Sequence, residues 1–425
     1  MSGRFTIPKL RWVIAILLFT VTLINYIDRQ AISVLKEQIC ENLHLGEEDY
    51  WQIVMLFLIA YAIMYAFSGY IVDKVGTKAG MTLFVCVWSI SQMFHGLAMG
   101  KWSFAACRFG LGLAEPGSFP AAVKAIGEWF PARQRALGVG IFNAGSSLGA
   151  AVAAPLVATI ALHRGWRAAF MVTGACGLIW VFFWLLIYNS PRRNRWLSEQ
   201  EAQEFKEVPK IETSAQKTSW WEIVSSRSGL MVMLPRFLTD PVIYFVLFGL
   251  PDYLENDRGF NLVMIRNYAW IPFAFGGVGY LIGGWLSGRM LEAGWSIGKS
   301  RKTVMTIGAA FLPVAILAPL VPSSGLAITA MAMVVFGHAI WVSNLMVLPT
   351  DLFPSRSVAS AAGFSGMGGA IGGALASGLI GTIVSHYSYK PIFICAGLMH
   401  PLAALLLWRF LPDKYFREEA RAALP

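Results

Sequence analysis

Two pairs of opposite charges lie inside stretches of sequence that are otherwise apolar. Asp28 and Arg29 are adjacent in the first such run, and Arg108 and Glu115 lie in a later one. A helical spacing of seven residues would place Arg108 and Glu115 on one face, separated by about 10 Å along the axis. A charged side chain at bilayer depth costs at least about 2.5 kcal/mol and is tolerated mainly in a bundle interior or watery cavity. The four charges therefore predict a path for an anion and a proton through a membrane.

Twelve apolar runs must position these charges, six on each side of a polar stretch. Hydrophobic residues make up 56% of the chain and charged residues 14%, which excludes an ordinary soluble protein. Two groups of six helices are typical of transporters built from repeated halves. The sequence therefore predicts an all-α membrane protein with an N-terminal six-helix bundle at 1–189, a cytoplasmic linker at 190–227 and a C-terminal six-helix bundle at 228–425. The runs cover residues 11–35, 51–72, 79–99, 102–125, 136–162, 166–189, 228–253, 263–290, 302–321, 325–351, 357–386 and 389–411.

The basic residues predict the orientation of these helices. Most of the 34 lysines and arginines fall in segments that are cytoplasmic if the N-terminus is inside. This bias predicts that both termini are cytoplasmic, and it accounts for the net charge of +10 without a nucleic-acid partner. The five cysteines are scattered and form no CxxC pair, so neither a disulfide framework nor a metal site is expected. The first run has no small-residue cleavage site and is interpreted as a retained helix.

A spaced loop motif joins the second and third runs, consisting of Gly69, Asp73, Lys74, Gly76 and Lys78. Glycine allows a neighbouring helix to approach, the aspartate can sit at the N-terminus of a facing helix, and the lysines hold the loop at an anionic membrane surface. The spacing resembles the loop G-x-x-x-D-R/K-x-G-x-R/K of the major facilitator superfamily, in which it acts in conformational change.

The remaining motifs receive no specific functional role. Glycine clusters at 138–149, 276–288 and 363–373 fit either static helix packing or bundles that slide on one another, and both interpretations stay open. The segment 294–300 has three residues between its glycines where a phosphate loop needs four, so ATP-driven pumping is not expected. His338 is interpreted as hydrogen-bonded packing in preference to a proton relay, and the other histidines, including His95 and His400, as residues at or near loops without a role.

Several segments resemble the anion:cation symporter family of the major facilitator superfamily, and its bacterial hexuronate-transporter branch in particular. NYIDRQ at 25–30 is similar to the family's first-helix signature, and RFGLGLAEPGSFPAA at 108–122 is similar to its fourth-helix pattern. The resemblance continues through EWFP at 128–131, GIFNAG at 140–145, LTDP at 238–241, DLFP at 351–354 and VASAAGFSGMGG at 358–369. It covers nearly the whole chain.

The resemblance implies a monomeric importer in the bacterial inner membrane, which uses alternating access to carry a sugar acid anion, most simply glucuronate or galacturonate, together with protons. It implies no enzymatic activity, and no metal or cofactor other than the proton as coupling ion. Asp28 and Glu115 would carry protons, and Arg29 and Arg108 would bind the carboxylate. The N-terminal half would add Tyr26, Tyr61, Asn143, Ser146 and Ser147 to the substrate site.

The C-terminal half carries the remaining expected substrate residues. Tyr244 and Trp341 lie in helices with polar residues and are predicted to form a wall for the sugar ring, with plain helix packing as the alternative. Asn344 and Ser365 complete the predicted site. Departures from the family occur here. Ile and Gly stand in the seventh helix where hexuronate relatives often have Trp, and Ser365 and Gly369 replace asparagines that are common in the wider family.

These departures keep an aldonate or an aldarate open as the substrate. A guanidinium binds a carboxylate through a planar fork, and protonating the nearby acids would remove their repulsion of an anion, so substrate and proton should bind cooperatively.

A drug/proton efflux antiporter would share the fold, but two inward-facing arginines disfavour cationic drugs. An uncoupled facilitator remains if Asp28–Arg29 and Arg108–Glu115 are structural ion pairs. A receptor would need an output domain larger than the linker.

Overall fold

The computed structural model describes residues 6–198, 201, 203, 219–260, 264 and 268–416. Within these residues the regular structure is helical, apart from one isolated β-bridge between Ile7 and Leu197. The helices are α1 Leu10–Val34, α2 Lys36–Leu43, α3 Glu47–Val75, α4 Thr77–His95, α5 Lys101–Ala114, α6 Ser118–Trp129, α7 Ala132–Ile187, α8 Trp220–Ser225, α9 Arg227–Asn256, α10 Ile271–Glu292, α11 Ile297–Phe311, α12 Ser324–Leu345, α13 Leu348–Leu352, α14 Val358–His386 and α15 Lys390–Phe410.

The helices confirm the predicted all-α membrane class. Among the described residues, eight helical segments are long and apolar enough to cross a membrane, with mean hydropathy from 1.2 to 2.2. The longest, α7, covers two of the predicted runs. Its helical geometry is interrupted at Gly165, whose φ of 79° lies in the left-handed region that favours glycine.

Two local features differ from the apolar pattern. The run predicted at 102–125 is two helices, because α5 ends at Ala114 and a 3₁₀ turn over Glu115–Gly117 precedes α6. Pro116 lacks the backbone N–H that an α-helix needs and breaks the run there. The segment between the first two apolar runs contains the short helix α2, which buries Ile39 and Leu43 one turn apart.

Contacts divide the chain into two compact units. The first unit comprises Met1–Phe130, Gly149–Thr218 and Pro354–Gly363, and the second comprises Pro131–Leu148, Ser219–Phe353 and Phe364–Pro425. The bundle boundaries expected at residues 189 and 228 stay a prediction.

Two histidines are more deeply placed than the sequence interpretation allowed. His95 ends α4 in the first unit, fully buried, with its ring stacked 5.0 Å from that of Phe170. His400 lies in the middle of α15 in the second unit, also fully buried, and its Nε2 is 3.0 Å from Nδ1 of His338. The interpretation of His400 as a residue at or near a loop is therefore wrong, whereas His95 does border the turn after α4. Aromatic packing and a partner histidine make the burial of these two rings tolerable. The hydrogen bond predicted for His338 is confirmed.

Candidate substrate and proton site

Glu115 forms an ion pair with Arg29 in the first unit. Nε and Nη2 of Arg29 donate to the same oxygen, Oε2 of Glu115, over 3.0 and 2.7 Å. The Glu115 side chain is fully buried and that of Arg29 is 21% exposed. The second oxygen, Oε1, has no hydrogen-bond partner among the described residues. The pair thus leaves one buried carboxylate oxygen open.

The pairing of Glu115 differs from the sequence expectation. Arg108 and Glu115 were expected on one helical face, about 10 Å apart along the axis. In the structure α5 ends at Ala114, Glu115 begins the 3₁₀ turn, and the carboxylate of Glu115 contacts Arg29. Adjacent residues on a helix also point in different directions, which keeps Asp28 from pairing with Arg29. The structural ion pairs Asp28–Arg29 and Arg108–Glu115, which the sequence analysis kept open as an alternative, do not form among the described residues, and a cross-helix pair of Arg29 with Glu115 is present instead.

Arg108 lies beside this pair and has hydrogen-bond donors that no described residue uses. Its Nη2 donates to the backbone oxygen of Arg29 over 3.2 Å, and its guanidinium lies 4.8 Å from the ring centre of Phe57. Its Nε and Nη1 are buried and have no hydrogen-bond partner in the part of the chain that the structure describes. An unsatisfied buried donor costs about 1–3 kcal/mol. The arrangement is suited to an anionic group that accepts both donors.

Aromatic rings surround the guanidinium of Arg29. Its Cζ lies 4.7 Å from the ring centre of Tyr61, 5.2 Å from that of Tyr26 and 5.9 Å from that of Phe57. Ring faces attract a cation, and the interaction strengthens when water is excluded. The structure therefore brings the predicted residues Tyr26, Arg29, Tyr61, Arg108 and Glu115 together.

Asp28 has different polar neighbours from Glu115. Its side chain is fully buried and lies close to Thr173 and Trp88. Neither of its carboxylate oxygens accepts a hydrogen bond from a described residue. Gln92 donates to the backbone oxygen of Asp28 over 3.4 Å and to Oγ1 of Thr173 over 3.1 Å. Asn25, one turn earlier on α1, is also buried without a described side-chain partner. The two acids thus have different surroundings.

The sequence interpretation missed Gln92, Trp88 and Thr173 around Asp28. A usable signal was present, because Gln92 is an amide inside an apolar run and follows Ser89 by one helical turn. Such polar residues at bilayer depth mark functional paths. The position of Thr173 next to Asp28 depends on the packing of α7 against α4, so the sequence alone does not predict it.

An ion pair outside the membrane spans fixes the start of α5 against α3. Nζ of Lys101 donates to Oδ1 of Asp49 over 2.6 Å and to Oε1 of Gln52 over 2.7 Å. The hydrogen bond from Lys101, together with that from the backbone N–H of Gly46, lowers the pKa of Asp49. This contact ties the helix that carries Arg108 to the helix that carries Tyr61.

Asp73 of the loop motif lies at the N-terminus of α14, as the sequence predicts. Its Oδ2 accepts hydrogen bonds from the backbone N–H and the hydroxyl of Ser360 over 2.7 and 2.6 Å, and its Oδ1 accepts from Nζ of Lys124 over 2.7 Å. A side chain at Gly69 would collide with the backbone oxygen of Ala359. Gly76 joins α3 to α4 with a φ of 87°, which favours glycine.

The lysines of the motif differ in exposure. Lys74 is exposed and Lys78 is half-buried. Their predicted role at an anionic membrane surface stays a prediction.

The other predicted residues lie in the second unit, including three that the sequence assigned to the N-terminal side of the site. Nδ2 of Asn143 donates to the backbone oxygen of Val139 over 3.0 Å and approaches Sδ of Met346 to 3.4 Å. Ser146 donates to the backbone oxygen of Asn143 over 2.6 Å, and Ser147 faces Gly276 of α10. The structure therefore does not place Asn143, Ser146 and Ser147 in the compact unit of the arginines.

The residues predicted for the sugar ring are mostly buried. Trp341 is fully buried, its ring centre lies 5.5 Å from that of His400, and its Nε1 has no hydrogen-bond partner among the described residues. Asn344 donates to the backbone oxygen of Gly283 over 3.1 Å, and Ser365 donates to that of Val232 over 2.5 Å. Tyr244 is half-buried on α9.

Known proteins resemble this chain over almost its full length. The Major Facilitator Superfamily profile matches residues 18–377 and 300–424. The hexuronate transporter of Escherichia coli K12 is 31% identical over 413 residues, which are 96% of this chain and 95% of that protein. The galacturonate transporter of Dickeya chrysanthemi is 34% identical over 310 residues, covering 72% of this chain and 90% of the relative.

A solved structure shares the fold at much lower sequence identity. The proton:xylose symporter XylE, bound to 6-bromo-6-deoxy-D-glucose, superposes with a TM-score of 0.75 at 19% identity, covering 98% of this chain and 99% of that one. The profile match and the sequence relatives show the family directly. The protein is a multi-pass membrane protein that belongs to the Major Facilitator Superfamily of transporters, and it is not an enzyme.

Proposed function

We propose that the protein imports a sugar acid anion, in the first place glucuronate or galacturonate, together with protons. The observation that carries this proposal is the pair of unpartnered buried donors on Arg108 beside the Arg29–Glu115 ion pair. Relatives named for hexuronate and galacturonate transport support the substrate class. The transporter would work as a monomer by alternating access, in a bacterial inner membrane with both termini in the cytoplasm.

The carboxylate of the substrate binds to the two arginines. Nε and Nη1 of Arg108 supply donors that no described residue uses, and Arg29 supplies a planar fork that Glu115 now occupies. Guanidinium groups bind carboxylates bidentately and remain charged at all physiological pH values. The aromatic rings of Tyr26 and Tyr61 flank the Arg29 guanidinium, whose side chain is only 21% exposed, and this partial burial strengthens the attraction.

Proton coupling follows from competition for Arg29. A substrate carboxylate that binds Arg29 displaces Glu115 or shares the guanidinium with it. Two carboxylates in one buried site repel each other, so the incoming anion favours the protonated form of Glu115. Substrate and proton therefore bind with positive coupling, and loss of the proton inside releases the substrate.

Asp28 provides a second proton site with different surroundings. It has no cation as a hydrogen-bond partner among the described residues, and Gln92 and Thr173 lie next to it. A buried carboxyl group without a cation is stable mainly in its neutral form. Asp28 therefore holds a proton without a direct hydrogen bond to either arginine, whereas Glu115 contacts Arg29 directly.

Uptake into proteoliposomes tests this function. Purified protein in liposomes should accumulate radiolabelled galacturonate when the outside is acidic, and a protonophore should abolish the accumulation. Uptake that equilibrates without responding to the pH gradient would show an uncoupled facilitator. Absence of any sugar acid uptake by folded protein would overturn the proposal. Reporter fusions at both termini test the orientation, which fails if either reporter is external.

A further inference from the structure

A set of buried polar side chains, Asp28 among them, lies in the interior of the first unit. Its six members lie on three helices, with two on α1, three on α4 and one on α7. Each is at most 3% exposed, although the runs that carry them are otherwise apolar. Polar groups at this depth in a membrane protein are costly and mark functional positions. We call this set the polar cluster, and it consists of Asn25, Asp28, Trp88, Ser89, Gln92 and Thr173.

Contacts between the three helices join the members of the polar cluster. The amide of Gln92 on α4 donates to Oγ1 of Thr173 on α7 over 3.1 Å and to the backbone oxygen of Asp28 on α1 over 3.4 Å. Trp88, one turn before Gln92, lies close to the carboxylate of Asp28. Asn25 lies one turn before Asp28 on the buried side of α1. The polar cluster is therefore one continuous region within the first unit.

Gly177 of α7 leaves room for the hydroxyl group of Ser89. A Cβ at position 177 would collide with Oγ of Ser89 and would lie 3.5 Å from Nε1 of Trp88. Position 177 is also one helical turn after Thr173. The close packing of α7 on α4 thus brings the hydroxyl group of Ser89 and the indole N–H of Trp88 to the same part of α7.

Seven buried polar atoms of the polar cluster have no hydrogen-bond partner in the part of the chain that the structure describes. They are both carboxylate oxygens of Asp28, Oε1 of Gln92, Oγ of Ser89, Nε1 of Trp88, and Oδ1 and Nδ2 of Asn25. Each unsatisfied buried polar group destabilises a fold, and native proteins leave few of them. Seven such atoms in one region therefore indicate a bound molecule.

The chemistry of these seven atoms identifies the kind of molecule. Carboxylate and amide oxygens accept hydrogen bonds, whereas Nε1 of Trp88 and Nδ2 of Asn25 only donate. A metal cation could not bind the two N–H groups, and the described residues contain no group of three or more His, Cys, Asp or Glu suited to a metal. An anion would be repelled by the carboxylate of Asp28. Water both donates and accepts, and a buried water typically makes about three hydrogen bonds.

We propose that the polar cluster holds ordered water molecules, which hydrogen-bond to the side chain of Asp28 and carry its proton. A protonated water passes one proton to a carboxylate oxygen of Asp28, which leaves a neutral water and a neutral carboxyl group. The reverse step returns the proton to water. The role of these waters in coupling rests on the proposed function, whereas their presence does not.

The polar cluster acts on coupling through Asp28. The carboxylate of Asp28 lies close enough to Glu115 and Arg108 to interact with both electrostatically. The described hydrogen bonds of the Gln92 amide reach neither of these two residues. Gln92 and Ser89 are therefore positioning residues, which hold the waters at Asp28 and leave the carboxylate-binding arginines intact.

Infrared difference spectroscopy of the purified protein in lipid tests for the waters directly. The C=O stretch of protonated Asp28 is the carboxyl band that disappears in Asp28→Asn. Its frequency falls when the carbonyl oxygen accepts a hydrogen bond, so wild type should show the lowered frequency of a hydrated carboxyl group. Gln92→Leu and Ser89→Ala each remove a group that holds the waters, and each should raise the frequency.

Transport by the same variants tests the role in coupling. In proteoliposomes, Gln92→Leu should lower the gradient-driven accumulation of galacturonate about tenfold, as expected for the loss of one hydrogen bond, while counterflow exchange stays near the wild-type rate. Thr82→Val is the matched control, because the hydroxyl group of Thr82 donates to the backbone oxygen of Lys78 within α4. It should change neither the band nor the accumulation. Ser89→Ala provides the second variant if Gln92→Leu does not fold, which melting in detergent would reveal.

The outcomes separate this inference from the proposed function. If wild type transports no sugar acid, the proposed function fails, and the infrared band still decides whether the waters are present. A wild-type band at the frequency of an unbonded carboxyl group, or a band that folded Gln92→Leu and Ser89→Ala leave unchanged, would overturn the waters. An equal loss of exchange and accumulation in Gln92→Leu would overturn their role in coupling. A raised band together with a selective loss of accumulation, with Thr82→Val unchanged, would support both.

Discussion

Among the described residues, the carboxylate of Glu115 receives both of its hydrogen bonds from Arg29, which lies 86 residues earlier in the chain, and none from Arg108. This pairing gives the two arginines different tasks. Arg29 already holds a carboxylate, whereas Arg108 has donors without described partners. A substrate can bind Arg108 at once but reaches Arg29 only by changing the interaction of Glu115.

The first prediction concerns Glu115→Gln, which keeps the shape of the side chain and removes its charge, as protonation would. Substrate exchange across the membrane needs no net proton movement, so it should stay within about tenfold of wild type, given about 0.5–1.5 kcal/mol for an altered hydrogen bond. Accumulation driven by a pH gradient should be lost. Counterflow and gradient-driven uptake of galacturonate in the same liposomes measure the two quantities. Wild-type accumulation in this variant would make Glu115 a structural residue.

The second prediction concerns Asp28→Asn. Because Asp28 does not touch Arg29 through its side chain, substrate binding should be less affected than in variants of the arginines. Gradient-driven accumulation should fall, since a buried proton site is removed. Direct binding of galacturonate by calorimetry, compared with uptake, separates the two effects. A loss of binding as severe as that in Arg108→Ala would show that Asp28 positions Arg29 through the backbone of α1.

The third prediction compares two replacements of Arg108. Arg108→Ala should abolish uptake while membrane insertion is kept, because removing a charge from a membrane span does not oppose insertion. Arg108→Lys keeps the charge but loses the planar fork, so the Kd for galacturonate should rise at least about tenfold, equivalent to about 1.4 kcal/mol. Arg29→Ala should also abolish uptake. Binding of galacturonate to the Lys variant with wild-type affinity would contradict the bidentate contact.

The fourth prediction concerns stability in the second unit. Asp351 is fully buried and accepts hydrogen bonds from Nε of Arg301 over 3.0 Å and from Nη1 of Arg135 over 3.1 Å. Arg301 is also fully buried, and it donates to Oγ of Ser287 and to the backbone oxygen of Ala132. Arg301→Gln should cost about 3–5 kcal/mol, because breaking a buried ion pair strands its partners.

Arg135→Gln serves as the matched comparison for Arg301→Gln. The Arg135 side chain is partly exposed, and Asp351 would keep its bond from Arg301. Thermal melting in detergent should therefore show a larger loss for the Arg301 variant. Equal losses would mean that Asp351 does not depend on the more deeply buried arginine.

Much of the fold follows from the sequence because apolar length and period are local properties. The runs predicted the helices, and the break before α6 can be read from Pro116. The spacing of Gly69, Asp73 and Gly76 led to the contact of Asp73 with the N-terminus of α14. The signals for these features come from residues close together in the chain, although the contact of Asp73 itself joins residues 287 positions apart.

The pairing of the buried charges depends on tertiary structure, and the sequence leaves it open. Sequence proximity allows a pair of Asp28 with Arg29, but neighbours on a helix face different directions. The contact of Arg29 with Glu115 exists because α1 packs near the 3₁₀ turn that starts at Glu115. This packing joins segments far apart in the chain, so no local sequence pattern predicts it. The burial of His400 can be read from its central position within the last apolar run, at 389–411.

The last prediction concerns Trp341, which sequence analysis assigned to the sugar wall. Its ring is fully buried, and its Nε1 has no hydrogen-bond partner among the described residues. Trp341→Phe keeps most of the aromatic volume and removes the indole N–H. If that N–H binds a sugar hydroxyl, the KM for galacturonate should rise about fivefold, matching a hydrogen bond of about 1 kcal/mol. The melting temperature in detergent should then change little. If Trp341 is a packing residue against His400, the melting temperature should fall and the KM should not move, which would remove Trp341 from the substrate site.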